Sequence, residues 1–292
     1  YGSNEDNHLA GGGGNDTLRG GRGDDILDGG DGTGDWADFS DLFTGVTLTL
    51  AGSSDASAVA SFETDTVRNI ENVLGTAHGD TLTGDSGHNT FFGGDGDGFS
   101  IGGNHLNHAA RKNINLTYII MDNFVYGLTK NQTSPTTPIG RRSKTDPNGA
   151  IDRPINPMMQ LLGSGATFIG RSHATHVKHM NEMFERAVNH KGFSVVEVLS
   201  ECTMFYPGAF DSAIPRKGGQ FDLIDEDAHN LTSINEAFEL AQLDFPGKFG
   251  VFYQKERPSK NELEQKWIDE VQAKTSDLSP QDLMRQSFAA MH

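Results

Sequence analysis

Two hydrophobic rhythms divide this chain. Up to about residue 92, single apolar residues recur between glycines and aspartates at a spacing of nine, as at Leu9, Leu18 and Leu27. From Gly94 onward, apolar runs alternate with amphipathic stretches. Residues 102–113 read as a helix, opened by glycines and carrying Leu106, Ala109 and Ala110 on one face. Residues 116–121, 193–199 and 249–253 read as buried strands. Residues 176–190 read as a helix with Val177, Met180, Phe184 and Val188 on one face. Within the first part, residues 46–50 alternate like a strand, and residues 66–74 look like a spacer between two repeat blocks. The predicted fold is mixed: an N-terminal parallel β-roll or β-solenoid, then an open parallel α/β sheet with ligands at the C-terminal ends of its strands. The expected domains are 1–93, 94–256 and a helical tail over 257–292.

The nine-residue pattern G-G-x-G-x-D-x-U-x, where U is apolar, starts at Gly11 and repeats at once at Gly20. A third copy starts at Gly29 and reaches Asp35 with one extra residue. Weaker copies follow at Gly75 and Gly84, the latter with Asn89 in place of the aspartate, and a degenerate one spans residues 2–9. Glycine takes positive φ without steric cost, so the chain can turn tightly and expose its carbonyls. A Ca²⁺ ion takes six to eight oxygens, carboxylate and carbonyl mixed, at ~2.3–2.6 Å. Asp16, Asp25, Asp35 and Asp80 are the candidate carboxylate ligands, with a poorer site expected at Asp80. These copies resemble the RTX (haemolysin-type) repeats, which implies a parallel β-roll with Ca²⁺ between turns.

Charge sharpens the division. Residues 1–98 hold 22 of the 36 glycines and 18 Asp/Glu against three Arg, a net of −15, whereas residues 99–292 carry −2. So acidic a block repels nucleic acid and anionic membranes and attracts cations, and neither polymer nor bilayer is expected as a partner. The single cysteine, Cys202, excludes an intrachain disulfide. No apolar run approaches the ~18 residues of a membrane span.

The second part opens with Gly94-Asp95-Gly96, and Asn123 follows one expected helix and one expected strand later. That order places Asp95 and Asn123 at the ends of neighbouring strands, facing one crevice. A hard ion such as Mg²⁺ would accept their oxygens and those of a diphosphate. Gly102 and Gly103 at a helix start would let backbone N–H groups approach the phosphates. Residues 94–105, Met121-Asp122-Asn123-Phe124-Val125-Tyr126-Gly127-Leu128-Thr129-Lys130 and Gln132-Thr133-Ser134-Pro135-Thr136-Thr137 closely resemble the β subunit of 2-oxoacid:ferredoxin oxidoreductases of the 2-oxoglutarate type. The likeness continues through residues 150–157, 173–179, 206–211 and 250–254.

The resemblance implies Mg²⁺ on Asp95, Asn123 and the Val125 carbonyl. Thiamine diphosphate would lie among Gly94, Asp95, Gly96, Asn104, His105, Tyr126, Gly127, Leu128, Thr129 and Gln132. The implied reaction is oxidative decarboxylation of a 2-oxoacid to its acyl-CoA, with an α subunit and ferredoxin as partners. The family layout places about 100 further residues before Gly-Asp-Gly, including three cysteines of a [4Fe–4S] cluster. Cys202 matches the fourth ligand, and one thiolate cannot hold a cluster that takes four. No cluster is expected here, the α/β domain is expected to be incomplete, and the chain alone is expected to bind cofactor weakly or not at all and to be inactive. Asn131 stands where the family usually has glycine. His173, His176 and His179 are expected on a solvated helix face, and residues 222–227 on a surface loop.

Gly93-Gly94-Asp95-Gly96-Asp97-Gly98 fits both motifs at once. Two further readings therefore stand beside the oxidoreductase: a secreted calcium-binding module with a passenger segment, or a recombined chain without evolved function. RTX repeats serve where Ca²⁺ is millimolar, outside the cell, and the oxidoreductase belongs in a reducing cytoplasm.

Overall fold

The computed structural model describes residues 1–76, 80–85, 87–127 and 130–275. Among the described residues, fourteen short to medium strands build two sheets. In chain order they are His8–Gly13 (β1), Thr17–Leu18 (β2), Ile26–Asp31 (β3), Trp36–Asp38 (β4), Thr47–Thr49 (β5), Ala56–Val59 (β6) and Thr64–Arg68 (β7). The second seven are Asn72–Leu74 (β8), Thr81–Thr83 (β9), Asn89–Gly94 (β10), Leu116–Asp122 (β11), Phe168–His173 (β12), Phe193–Leu199 (β13) and Gly250–Gln254 (β14). One sheet has the order β1-β3-β7-β6-β5-β9. The other runs β14-β12-β13-β11-β10-β8-β4-β2.

The repeat sequence explains the first half. Glycines at positive φ, such as Gly12 at 98° and Gly21 at 98°, turn the chain between strands of two to six residues. The apolar eighth residues Leu18 and Leu27 point into a buried core with Ala37, Val67, Val73 and Phe91. Strands β1, β3 and β7 pair in parallel on one side, and β2, β4 and β8 on the other.

The second half is a layered α/β unit. Strand β13, buried at all seven positions, pairs in parallel with β11 and β12. Helices Gly103–Lys112 (α1), Pro157–Ser164 (α2) and Ile234–Ala241 (α4) pack on one face through Leu106, Ala110, Leu161, Leu162 and Ala237. Helix Val177–Asn189 (α3) covers the other through Met183 and Ala187. Its buried stripe differs from the expected one: Val177 is 57% and Val188 44% exposed. Strand β14 lies antiparallel to β12, so the sheet is mixed at that edge rather than wholly parallel. Helix Lys260–Thr275 (α5) follows. Among the described residues, no helix is long and apolar enough to cross a membrane.

The two halves share a strand. β10 pairs with β8 of the repeats through Thr90–Asn72, Phe91–Val73 and Phe92–Leu74, and with β11 through six consecutive residues, Asn89–Leu116 to Gly94–Met121. The expectation of weak cofactor binding rested on a solenoid turn replacing the strand that leads into Gly94-Asp95-Gly96. The structure has a parallel strand there, flanked on both sides. Phe91 faces the repeat core and Phe92 faces α3, so the alternation of a strand serves both bodies at once.

Candidate functional site

Asp95 follows β10 directly and is 3% exposed. Its carboxylate accepts a hydrogen bond from the Thr136 hydroxyl at 2.9 Å, and nearby Ser134 and the Asn123 backbone favour its charged form. The end of β10 and the end of β11 therefore meet at one buried point, as the sequence order requires. Burial raises the Asp95 carboxyl above the usual range.

Asp122, the last residue of β11, is fully buried. Its Oδ1 accepts from the Phe124 N–H at 3.1 Å and lies 2.7 Å from the same Thr136 hydroxyl. Its Oδ2 has no partner among the described residues. Burial first, then the charges of Asp95 and Glu197, push its carboxyl well up. The Thr136 hydroxyl has one proton for two carboxyl groups, so the second contact requires a proton on the carboxyl side. Glu197, 1% exposed, is paired with Arg171 at 2.5 Å.

Asn123 is half-buried, and its Oδ1 accepts from the Val125 N–H at 3.0 Å. Phe124 takes a positive φ of 62°, which turns the chain after the strand. Tyr126 and Gln132 then close a small bridge, Tyr126 N–H donating to the Gln132 carbonyl at 3.0 Å. Between them Lys130 and Asn131 take φ of 69° and 72°. Asn131 thus occupies a left-handed position where glycine would be at ease, and its Oδ1 is held by Arg141 at 2.6 Å. The Tyr126 ring lies over Gly96, where a Cβ would collide with it, and Cys202 Sγ is 3.3 Å from where a Cβ on Gly127 would sit. Leu128 and Thr129 lie outside the described residues.

The N-terminus of α1 has Gly102 at its cap, no side-chain capping bond and no acidic residue in the first turn. A Cβ on Gly103 would meet nothing within 4 Å. α1 follows directly on a π-helical turn, Asp97–Ile101, and its open approach at Gly103 suits an anion. Asn104 is exposed. His105 borders a cavity of about 470 Å³ between α1 and the repeats, walled by Leu82, Asp85, Leu106 and Tyr118; Asp95 and Asn123 do not line it.

The repeat aspartates form two ladders. Asn7 N–H donates to Asp25 Oδ1 and Asp25 N–H to Asp65 Oδ1, each at 2.8 Å. On the opposite stack, Asp16 N–H donates to Asp35 Oδ1 at 2.8 Å and Asp35 N–H to Glu71 Oε2 at 3.0 Å. Consecutive repeats therefore alternate between stacks, so Asp16, Asp25 and Asp35 do not form one series. Asp65 and Glu71, which the repeat pattern does not contain, extend the ladders into the spacer. Asp16, Asp25 and Asp35 each keep a buried Oδ2 without a partner among the described residues. That of Asp16 is 2.7 Å, and the Gly29 carbonyl 2.6 Å, from the position of a Cβ on Gly11. A cation held between these two oxygens would satisfy both. Asp80 differs: its oxygens accept from Val46 N–H at 2.9 Å and Thr76 N–H at 2.7 Å. Among the described residues no three carboxylate, imidazole or thiolate groups converge, so carbonyls would complete any ion's shell.

The three histidines are not a solvated helix face. His173 ends β12 at 0% exposure, its Nδ1 accepting from Thr175 N–H at 3.1 Å, and burial pushes it down to about 4. His176 stacks on Phe221 at 3.7 Å, and His179 meets the Ser172 hydroxyl at 2.8 Å. In the acidic loop, Ile224 is buried and Asp222 pairs with Lys248 at 2.7 Å.

Comparison with known proteins gives two family matches. Residues 64–198 match the thiamine pyrophosphate enzyme, C-terminal TPP binding domain, and residues 1–34 match the RTX calcium-binding nonapeptide repeat. The first match begins at β7, inside the repeat body. The 2-oxoglutarate synthase subunit KorB of Methanocaldococcus jannaschii is 35% identical over 188 residues, 64% of this chain and 68% of that subunit. The 2-oxoglutarate oxidoreductase subunit KorB of Mycobacterium tuberculosis is 45% identical over 127 residues, 44% of this chain; the chain spans about a third of that subunit, 34%. A solved 2-oxoglutarate:ferredoxin oxidoreductase from Magnetococcus marinus, with 2-oxoglutarate, coenzyme A and succinyl-CoA bound, superposes with a TM-score of 0.59 at 32% identity, over 66% of this chain and 70% of that one.

Proposed function

This chain belongs to the family of 2-oxoacid:ferredoxin oxidoreductase β subunits, and on that footing we propose that it binds thiamine diphosphate and Mg²⁺ at the meeting point of β10 and β11. The observation that carries the reading is the Thr136 hydroxyl held between the buried carboxyl groups of Asp95, 2.9 Å away, and Asp122, 2.7 Å away. It brings the Gly-Asp-Gly turn and the Asp122–Val125 turn together. Asp95, Asp122, the Asn123 amide and Thr136 gather side-chain oxygens here, the donors that suit Mg²⁺.

Asp95, the Asn123 amide oxygen and the Val125 carbonyl would hold the ion. Thr136 orients the Asp95 carboxylate with its hydroxyl. The uncapped start of α1 would receive the diphosphate, and the Tyr126 ring over Gly96 excludes water beside it. When bound, the thiazolium ring supplies the carbon-centred chemistry of 2-oxoacid decarboxylation, and the protein supplies position and electrostatics. The substrate class is 2-oxoacids of the 2-oxoglutarate type, with CoA as acyl acceptor, an α subunit completing the site and ferredoxin taking the electrons. Cys202 is the one cysteine of the chain, so a cluster cannot form on it alone. The stacks β1-β3-β7 and β2-β4-β8 are read as a parallel β-roll that takes Ca²⁺ at Asp16, Asp25 and Asp35. The orphan Oδ2 atoms over glycine backbones support that reading.

Mn²⁺ in place of Mg²⁺ tests the metal site. Its electron paramagnetic resonance signal should change on adding thiamine diphosphate to the chain with Ca²⁺ present. An unchanged signal contradicts the reading.

A further inference from the structure

Two neighbouring residues of the loop after β11 keep a backbone that side chains rarely adopt. Lys130 and Asn131 take φ of 69° and 72°. Glycine would enter this region freely. A residue with a side chain stays there only where its surroundings hold it, and such residues gather at binding sites. Here the hold has three parts. Asn131 N–H donates to the Tyr126 carbonyl at 3.2 Å, and the Asn131 carbonyl accepts from Lys144 N–H at 2.7 Å. Asn131 Oδ1 accepts from Arg141 Nη2 at 2.6 Å.

Arg141 reaches further than this one side chain. The same Nη2 donates to the Phe205 carbonyl at 2.9 Å, and the guanidinium lies over the Tyr206 ring, 4.2 Å from its centroid. Phe205 and Tyr206 belong to the loop after β13, where Tyr206 N–H donates to the Cys202 carbonyl at 2.9 Å. Tyr206 also meets Phe124, the residue after Asn123, with ring centroids 6.5 Å apart. The backbone under the arginine is fixed in turn: its carbonyl accepts from Ala150 N–H at 2.8 Å. One planar group thus joins the loop closed by Tyr126 and Gln132 to the loop after β13.

We propose that Arg141 is a positioning residue for the cofactor loop: by holding Asn131 and the Phe205–Tyr206 segment with one guanidinium, it sets the left-handed turn of that loop before a ligand arrives. The part that concerns thiamine diphosphate rests on the reading above; the fastening of the two loops does not. Arg141 acts through Asn131 and Tyr206. The geometry calls for arginine, because its planar fork serves two oxygens and a ring face together, whereas lysine offers a point charge. A loop already in its bound shape is spared the entropy of ordering, so loss of the fork weakens affinity.

Hydrogen exchange and calorimetry on the full chain test this. Without cofactor, Arg141→Ala should speed exchange of the Tyr126, Asn131 and Gln132 amides about tenfold or more and leave those of β13 unchanged. With Mg²⁺ present, Arg141→Ala should bind thiamine diphosphate at least about fivefold more weakly than the unaltered chain. Arg141→Lys should bind as weakly, since it keeps the charge and loses the fork. Asn131→Gly removes the acceptor and leaves the turn at ease. In that background the Arg141→Ala change should cost less than about twofold, a coupling that general loosening of the fold would not produce. Unchanged loop exchange in Arg141→Ala, full affinity in Arg141→Lys, or equal losses in both backgrounds overturns the proposal. Should Arg141→Ala fail to fold, the exchange of Arg141→Lys decides it. If no chain binds thiamine diphosphate, the cofactor reading fails, and the exchange alone upholds or overturns the fastening of the two loops.

Discussion

At the residue scale, buried carboxylates set the pH behaviour of the repeat half. Burial first, then the charges of Asp25, Glu63 and Asp24, raise the Asp65 carboxyl from 3.8 to about 7. Asp25, Glu63 and Glu71 are raised for the same chief reason. The folded state holds these protons more tightly than the unfolded chain does. Stability without Ca²⁺ is therefore full below about pH 4 and falls as the pH rises towards about 7. Thermal melting in a chelating buffer should show a lower Tm at pH 8 than at pH 5, and Asp65→Asn should flatten that slope. Saturating Ca²⁺ should flatten it too, since the ion takes the place of the protons. Gly96 offers a second test. Alanine there would drive a Cβ into the Tyr126 ring, so Gly96→Ala should weaken thiamine diphosphate binding at least about tenfold. The cost in stability, read from chemical denaturation, should be about 1–3 kcal/mol.

At the scale of elements, β10 joins the two halves. Phe91, 4% exposed, is its anchor in the repeat core, and Phe91→Ala should cost about 3–5 kcal/mol in denaturant unfolding. Phe62→Ser, at a position 91% exposed, should stay within about 0.5 kcal/mol. Much of this level was legible in the sequence. The runs around Leu116–Asp122 and Phe193–Leu199 are apolar on both faces and became the sheet centre. β12 was hidden because Gly170, Arg171 and His173 interrupt its apolar run. Its arginine is tolerated only because Glu197 on the adjacent strand pairs with it. α2 was hidden although its start is written out: Asn156 accepts from Met159 N–H at 3.1 Å, with Pro157 at the first position. Asp122 and Thr136 were quoted in the family resemblance and given no role. A charged residue ending a strand reads as a boundary, and only the fold shows it buried against Asp95.

At the scale of the molecule, the two bodies share one of the two sheets. The repeat half and the α/β half differ in charge and in the compartment they suggest, yet eight strands run unbroken from β2 to β14 through the shared β10. Adding Ca²⁺ should therefore raise the melting temperature of the whole chain, followed by near-ultraviolet circular dichroism of both halves. Two separate transitions, with only the first sensitive to Ca²⁺, would argue against that continuity. Electron transfer is a different matter. With Cys202 as the single thiol, the chain alone should bind cofactor without reducing viologen dye from 2-oxoglutarate and CoA.

The most direct test of the central claim is a calorimetric titration of thiamine diphosphate into the full chain, with Mg²⁺ and Ca²⁺ both present, against the Asp95→Asn variant. The buried Asp95 carboxylate beside Asn123 predicts saturable binding that requires Mg²⁺ and weakens at least about tenfold in the variant. Equal affinity of the two proteins, or no binding by either, would contradict it.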